Sequence, residues 1–135
     1  MKKNIVMLTI MAIMMAVSST ALAKTPVTVE GTFEGAMCAF YGNACPMEPT
    51  EAHIALEPDF VLRTKGGENH YVVNLDRSTK VRYVKDKVRI SGKVNAEGTL
   101  FAERLDVYKG SKYVKVWDLV QQEAERKRFI ESGGN

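Results

Sequence analysis

Thiol, thioether and imidazole groups crowd one stretch of this sequence. Met37, Cys38, Cys45 and Met47 fall between positions 37 and 47, and His53 follows shortly after. These are donors for soft and borderline metal ions, copper(I) in particular, and a copper or zinc site would draw on Cys38, Cys45, Met47 and His53. The two cysteines have a second chemistry. In an exported chain an even cysteine count favours a disulfide, and closing so short a loop stabilises a fold by roughly 2–3 kcal/mol on the chain-entropy account. The spacing is wider than that of a tight zinc knuckle, and oxidation would consume both thiolates. A Cys38–Cys45 disulfide is therefore the expectation, and the metal site the alternative.

Other chemistries find less support. Dithiol redox catalysis uses two cysteines separated by two residues at a helix start, where the dipole lowers the thiol pKa, and six residues separate the pair here. There are two histidines, His53 and His70, and no serine stands in a nucleophile-elbow context. Glu48, Glu51, Glu57 and Asp59 surround the same loop, but spacing alone does not pair them as acid and base of a glycosidase. The expectation is a protein that binds rather than catalyses.

The segment that carries these groups begins after an export signal. Lys2 and Lys3 precede an apolar run from Ile5 to Val17, and Ala21-Leu22-Ala23 forms a small-x-small cleavage site. The run is short against the roughly 20 residues that span a bilayer. Cleavage after Ala23 leaves about 112 residues, enough for one domain with a modest core, located in the periplasm or secreted, with no transmembrane segment. Two of the nineteen basic residues leave with the signal, so 17 Lys and Arg face 16 Asp and Glu. A balance that close to neutral gives nucleic acid no bulk attraction, although Arg82, Arg89 and Lys93 with Tyr71 and Tyr83 are the groups that would make phosphate and stacking contacts.

Periodicity supplies the elements that hold the loop. Val27, Val29, Gly31 and Phe33 alternate with polar neighbours over residues 27–34, as a half-buried strand requires, and Gly31 within it signals a bulge or sharp bend. Residues 35–58 form a long connection with a short helical or extended piece at 51–56. Runs at 59–64 and 70–75 flank Gly66-Gly67 and read as a hairpin. Val88, Ile90, Gly92 and Val94 share one face of a strand over 87–94, opposite Arg89, Ser91 and Lys93. A short turn leads to a strand over 99–108 whose facing changes once, near Glu103-Arg104. From Lys112, apolar residues Tyr113, Val116, Trp117, Val120 and Ala124 recur at three- and four-residue spacing, which predicts a one-sided helix. Its Trp117 end is expected to pack on the sheet as a cap, leaving Arg126-Lys127-Arg128 with Phe129-Ile130 for a partner or an anionic surface.

The run from Tyr83 to Val94, its turn and the strand beyond it resemble the closing hairpin of OB-fold domains in small exported bacterial proteins, where a Gly-Lys-Val-x-Val-x-Gly-x-Val strand is typical. Residues 27–31 resemble the first strand of that family, and Cys38 stands where many of its members carry a cysteine. The resemblance covers about residues 27–108 and implies an all-β, five-stranded OB-like barrel over 24–110, followed by a C-terminal amphipathic helix and tail over 111–135. It implies a fold rather than a ligand. The combined expectation is an exported, non-catalytic binding protein that meets an envelope protein or small molecule, without a cofactor, through the Cys38–Cys45 loop and a barrel face that includes Phe40, Tyr41, Arg82, Arg89 and Lys93.

Intact mass spectrometry of the exported protein, with and without thiol alkylation, separates the two cysteine chemistries. The disulfide reading expects a mass lower by two hydrogens and no alkylation. Two alkylatable thiols and a metal ion retained under native conditions are the outcome expected of the metal site.

Overall fold

The computed structural model describes residues 24–42 and 51–133; the signal segment, Cys45 and Met47 lie outside the described residues. Strand β1 (Thr25–Gly35) runs into a short helix α1 (Ala36–Phe40). Helix α2 (Glu51–Leu56) then precedes strands β2 (Phe60–Thr64) and β3 (Asn69–His70). Helix α3 (Arg77–Arg82) leads into β4 (Lys87–Val94), β5 (Leu100–Lys109), β6 (Lys112–Asp118) and helix α4 (Leu119–Glu131). The strands form one antiparallel sheet in the order β3-β2-β1-β4-β5-β6.

The alternation in β4 maps directly onto burial. Val88, Ile90 and Gly92 are buried, whereas Lys87 and Lys93 are exposed and Arg89 and Ser91 half-buried. The buried face meets Phe33 from β1, Phe60 and Leu62 from β2, and Leu100, Ala102, Leu105 and Val107 from β5. At roughly 25 cal/mol per Å² of apolar surface removed from water, each of these larger side chains contributes about 1.5–3 kcal/mol before entropy is counted. Between Ser91 opposite Arg104 and Gly92 opposite Ala102, Glu103 is the extra residue, so β5 carries its bulge where the change of facing predicted one.

β1 is paired along both edges: with β4 from Thr25 to Thr32, and with β2 from Gly31 to Gly35. Gly31 belongs to both ladders, facing Thr64 on one side and Val88 on the other. A Cβ there would lie 2.1 Å from the Arg63 carbonyl oxygen, so only glycine lets β2 approach where β1 changes partners.

The expected five-stranded closed barrel becomes a six-stranded open sheet. The hairpin around Gly66-Gly67 is present, but its second strand pairs with β2 only through Asn69 and His70. Beyond His70 the chain lies parallel to the start of β5: Val72 bridges Leu100, Tyr71 C=O accepts the Leu100 N–H at 2.8 Å, and Val73 N–H donates to Leu100 C=O at 3.2 Å. The Asn74 carboxamide extends this contact, accepting from Ala102 N–H at 2.7 Å and donating to Ala102 C=O at 2.6 Å. β6 occupies the same edge of β5 from Arg104 to Lys109, which leaves only its first residues available for closure.

The C-terminal region also departs from expectation. Residues 112–118, expected to begin a helix, form β6. Its Tyr, Val and Trp side chains suit a pleated surface, and a turn after Lys109 lays it against β5. Trp117 packs against the core from this strand. The helix begins only at Leu119, where Asp118 Oδ1 accepts the Gln121 N–H at 3.2 Å. No residue of α4 is buried and Val120 is 76% exposed, so α4 does not cap the sheet. Among the described residues, no helix is long and apolar enough to cross a membrane.

Helix α3 was not legible from periodicity; its start is chemical. Asp76 accepts from the Thr79 N–H and hydroxyl, both at 2.8 Å, and from the Ser78 hydroxyl. The Ser78 contact leads, with the Thr79 bonds, in holding the Asp76 carboxyl down at about 2, against an ordinary 3.8. A carboxyl lowered on folding stabilises the fold at any pH above its unfolded value and loses that contribution as pH falls from about 4 towards about 2. Asp76→Ala is expected to cost about 1 kcal/mol at pH 7. The deficit should shrink as pH falls through this range and be largely lost only below about pH 2 in urea unfolding; a deficit independent of pH would mean that the cap does not act through its charge.

Candidate metal centre

β1 delivers the chain to the site at Gly35. The next backbone N–H, of Ala36, donates to Asp59 C=O at 2.9 Å, pinning the start of α1 to the entry of β2. Cys38 stands on α1 and His53 on α2. Glu57 follows α2 directly, four residues after His53 and therefore on the same side of the chain.

Three donor atoms from these residues meet. Cys38 Sγ lies 3.5 Å from His53 Nε2 and 3.5 Å from Glu57 Oε1, and His53 Nε2 lies 3.5 Å from the same Glu57 oxygen. The set is compact enough to hold one metal ion. Glu57 is 5% exposed and His53 31%. A carboxylate that deep needs partners, and its other oxygen, Oε2, accepts the Met37 N–H at 3.0 Å. Gly35 leaves the room for it: a Cβ there would sit 2.2 Å from Glu57 Cδ and Oε1.

The support beneath α2 comes from α3 and β2. Arg77 donates to Ile54 C=O at 2.7 Å and to Glu57 C=O at 3.0 Å, satisfying carbonyls at the end of a helix that has no further turn to pair them. Its guanidinium also lies 5.5 Å from the Phe60 ring centroid. Lys80, 1% exposed, binds both oxygens of Asp59 at 2.9 and 2.8 Å. These contacts hold the segment between Glu57 and Phe60 from two sides.

The geometry departs from that of a nucleophile–base–acid relay. A relay places the nucleophile and the carboxylate on opposite nitrogens of the imidazole, whereas here both approach Nε2. Zinc bonds of about 2.3 Å to sulfur and 2.0–2.2 Å to nitrogen and oxygen, at tetrahedral angles, place donors about 3.4–3.6 Å apart. The three observed separations form one face of such a tetrahedron.

Of the residues expected to ligate a metal, Cys38 and His53 come together, while Cys45 and Met47 lie outside the described residues. Glu57 was expected only as one acidic residue of the loop. The signal that singles it out is its four-residue spacing from His53 across the predicted 51–56 piece. Phe40 and Tyr41 are exposed on α1, their rings 5.3 Å apart edge to face. Arg82 sits on α3 and Arg89 and Lys93 on β4. Arg89 donates to buried Asp106 and stacks 4.1 Å from the Tyr113 ring centroid, and Lys93 pairs with Glu103 at 3.0 Å. Both strand cations thus lie beside carboxylates, Arg89 sharing Asp106 with Arg104.

No protein-family model, curated protein or solved structure matches this chain.

Gly35 has ordinary extended angles, φ −57° and ψ 133°, so alanine there meets only a steric obstacle. Gly35→Ala is expected to destabilise the protein by about 1–3 kcal/mol, the usual cost of overpacking, read as a lowered urea midpoint. An unchanged midpoint would show that Glu57 is not seated against Gly35.

Proposed function

We propose that this is an exported, OB-like binding protein, without catalytic activity, whose ligand is a transition-metal ion, zinc or copper, held by Cys38, His53 and Glu57. The observation that carries the reading is the mutual 3.5 Å approach of a thiol, an imidazole and a buried carboxylate. A thiol and a carboxyl group are brought to one point at a cost in desolvation, and a bound cation is what offsets it.

The position of the cluster in the fold supports the same reading. OB-folds are partly open barrels that bind through the loop between their first two strands. Here β1 and β2 are joined by the segment that carries all three donors, and the Val72–Leu100 bridge joins the chain just beyond β3 to the start of β5. Export, expected from residues 1–23, would put such a site outside the cytoplasm.

One observation favours a second reading, in which α1 and α2 dock an envelope protein or small molecule. Phe40 and Tyr41 are 74% and 66% exposed with their rings 5.3 Å apart, and Leu56 on α2 is 84% exposed; exposed apolar side chains that form a contiguous patch mark contact surfaces. Phe40→Ser with Tyr41→Ser should abolish such docking and leave metal affinity unchanged.

Titration of the reduced, metal-stripped protein with zinc(II) and with copper(I), each against a chromophoric chelator, tests the principal reading. One ion per chain is expected, with affinity falling by orders of magnitude in Cys38→Ser and in His53→Ala. His70→Ala is expected to behave as the parent, because the His70 ring is engaged with Gly98 C=O at 3.0 Å, outside the cluster. Absence of stoichiometric binding of either ion would overturn the proposal.

A further inference from the structure

Resting on the metal-binding reading above, we infer that the centre selects a divalent ion of zinc type over copper(I), and that Glu57 is the residue that makes the selection. The first argument is charge. Bound to a metal, Cys38 is a thiolate and Glu57 a carboxylate, while His53 is neutral. Among the described donors, these two negative charges match one divalent cation and exceed the charge of copper(I). At the surface water would absorb the difference, but Glu57 is 5% exposed, and an uncompensated buried charge is costly.

The second argument is donor type. Soft thiolate and thioether ligands select copper(I), whereas a carboxylate oxygen suits harder divalent ions. The fold does more than tolerate that oxygen. Met37 N–H holds Oε2, Gly35 gives up its side chain to make the slot, and Arg77 fixes the Glu57 carbonyl. Oε1 is thereby aimed at Cys38 Sγ and His53 Nε2. Backbone and side-chain partners that orient a ligating carboxylate in this way are the outer shell of a metal site, and losing one usually weakens metal affinity 10–100-fold.

The third argument is shape. Three edges of 3.5 Å match the face of a tetrahedron built on zinc bond lengths. Zinc binding also displaces the thiol proton, so affinity falls as the pH is lowered.

The test uses the reduced protein and its Glu57→Gln variant, which keeps the size of the side chain and removes its charge. Zinc(II) affinity is expected to fall by at least about 100-fold, beyond the loss of an outer-shell partner, with copper(I) affinity little changed. Cobalt(II) replacing zinc in the parent protein is expected to show the intense visible bands of a tetrahedral site together with thiolate charge transfer, a readout that does not depend on the variant folding. Equal losses for both ions, no loss for zinc, or a weak octahedral cobalt spectrum would overturn the selection by Glu57 while leaving metal binding intact. Failure of the parent protein to bind either ion would instead remove the metal-binding reading itself.

Discussion

The fold turns on a single strand that must serve two neighbours. β1 gives one edge to β4 along most of its length and the other to β2 over its last residues, and both ladders include Gly31. Any side chain at that position would run into the Arg63 carbonyl. Because β2 can approach there, the strand ends with Gly35 beside the entry of β2, and the connection that leaves β1 is forced to return across its own starting point. The cluster of Cys38, His53 and Glu57 is built at that return.

The same return explains the concentration of buried polar groups near β2. Glu57 and Lys80 are buried where a connection without sheet partners meets the core, and each is answered by a specific bond: Met37 N–H for Glu57, and the half-exposed Asp59 carboxylate for Lys80. Arg77 joins them by taking two carbonyls at the end of α2. Fixed hydrogen bonds of this kind position a side chain more narrowly than apolar packing does. That is what three donors from two separate helical turns and a loop need in order to converge.

The opposite face of the sheet works differently. Asp106 is buried within β5 and accepts from Arg89 and Arg104, and Lys87 pairs with Glu30 across β4 and β1. Cross-strand pairing of opposite charges favours the register. Of the charges that a sequence reading assigns to a binding face, Arg89 and Lys93 pair with carboxylates of β5.

How much of this was written in the chain follows from where side chains point. β4 and the bulge of β5 were legible because one face is buried and the other wet, which imprints a period of two on the residues. β6 was not: as an edge strand with Val114 exposed and Val116 and Trp117 half-buried, its apolar residues fall at spacings that also suit a helix. Helix α3 is a short, polar turn whose start depends on one aspartate rather than on periodicity. The chemistry of the site was determined by the sequence as an inventory, with Cys38 and His53 among its donors. That Glu57 joins them, and that the three atoms lie 3.5 Å from one another, was decided only by the tertiary structure. Convergence depends on how β1, α2 and α3 are held in space, and residue spacing along a connection with no repeating pattern does not encode it.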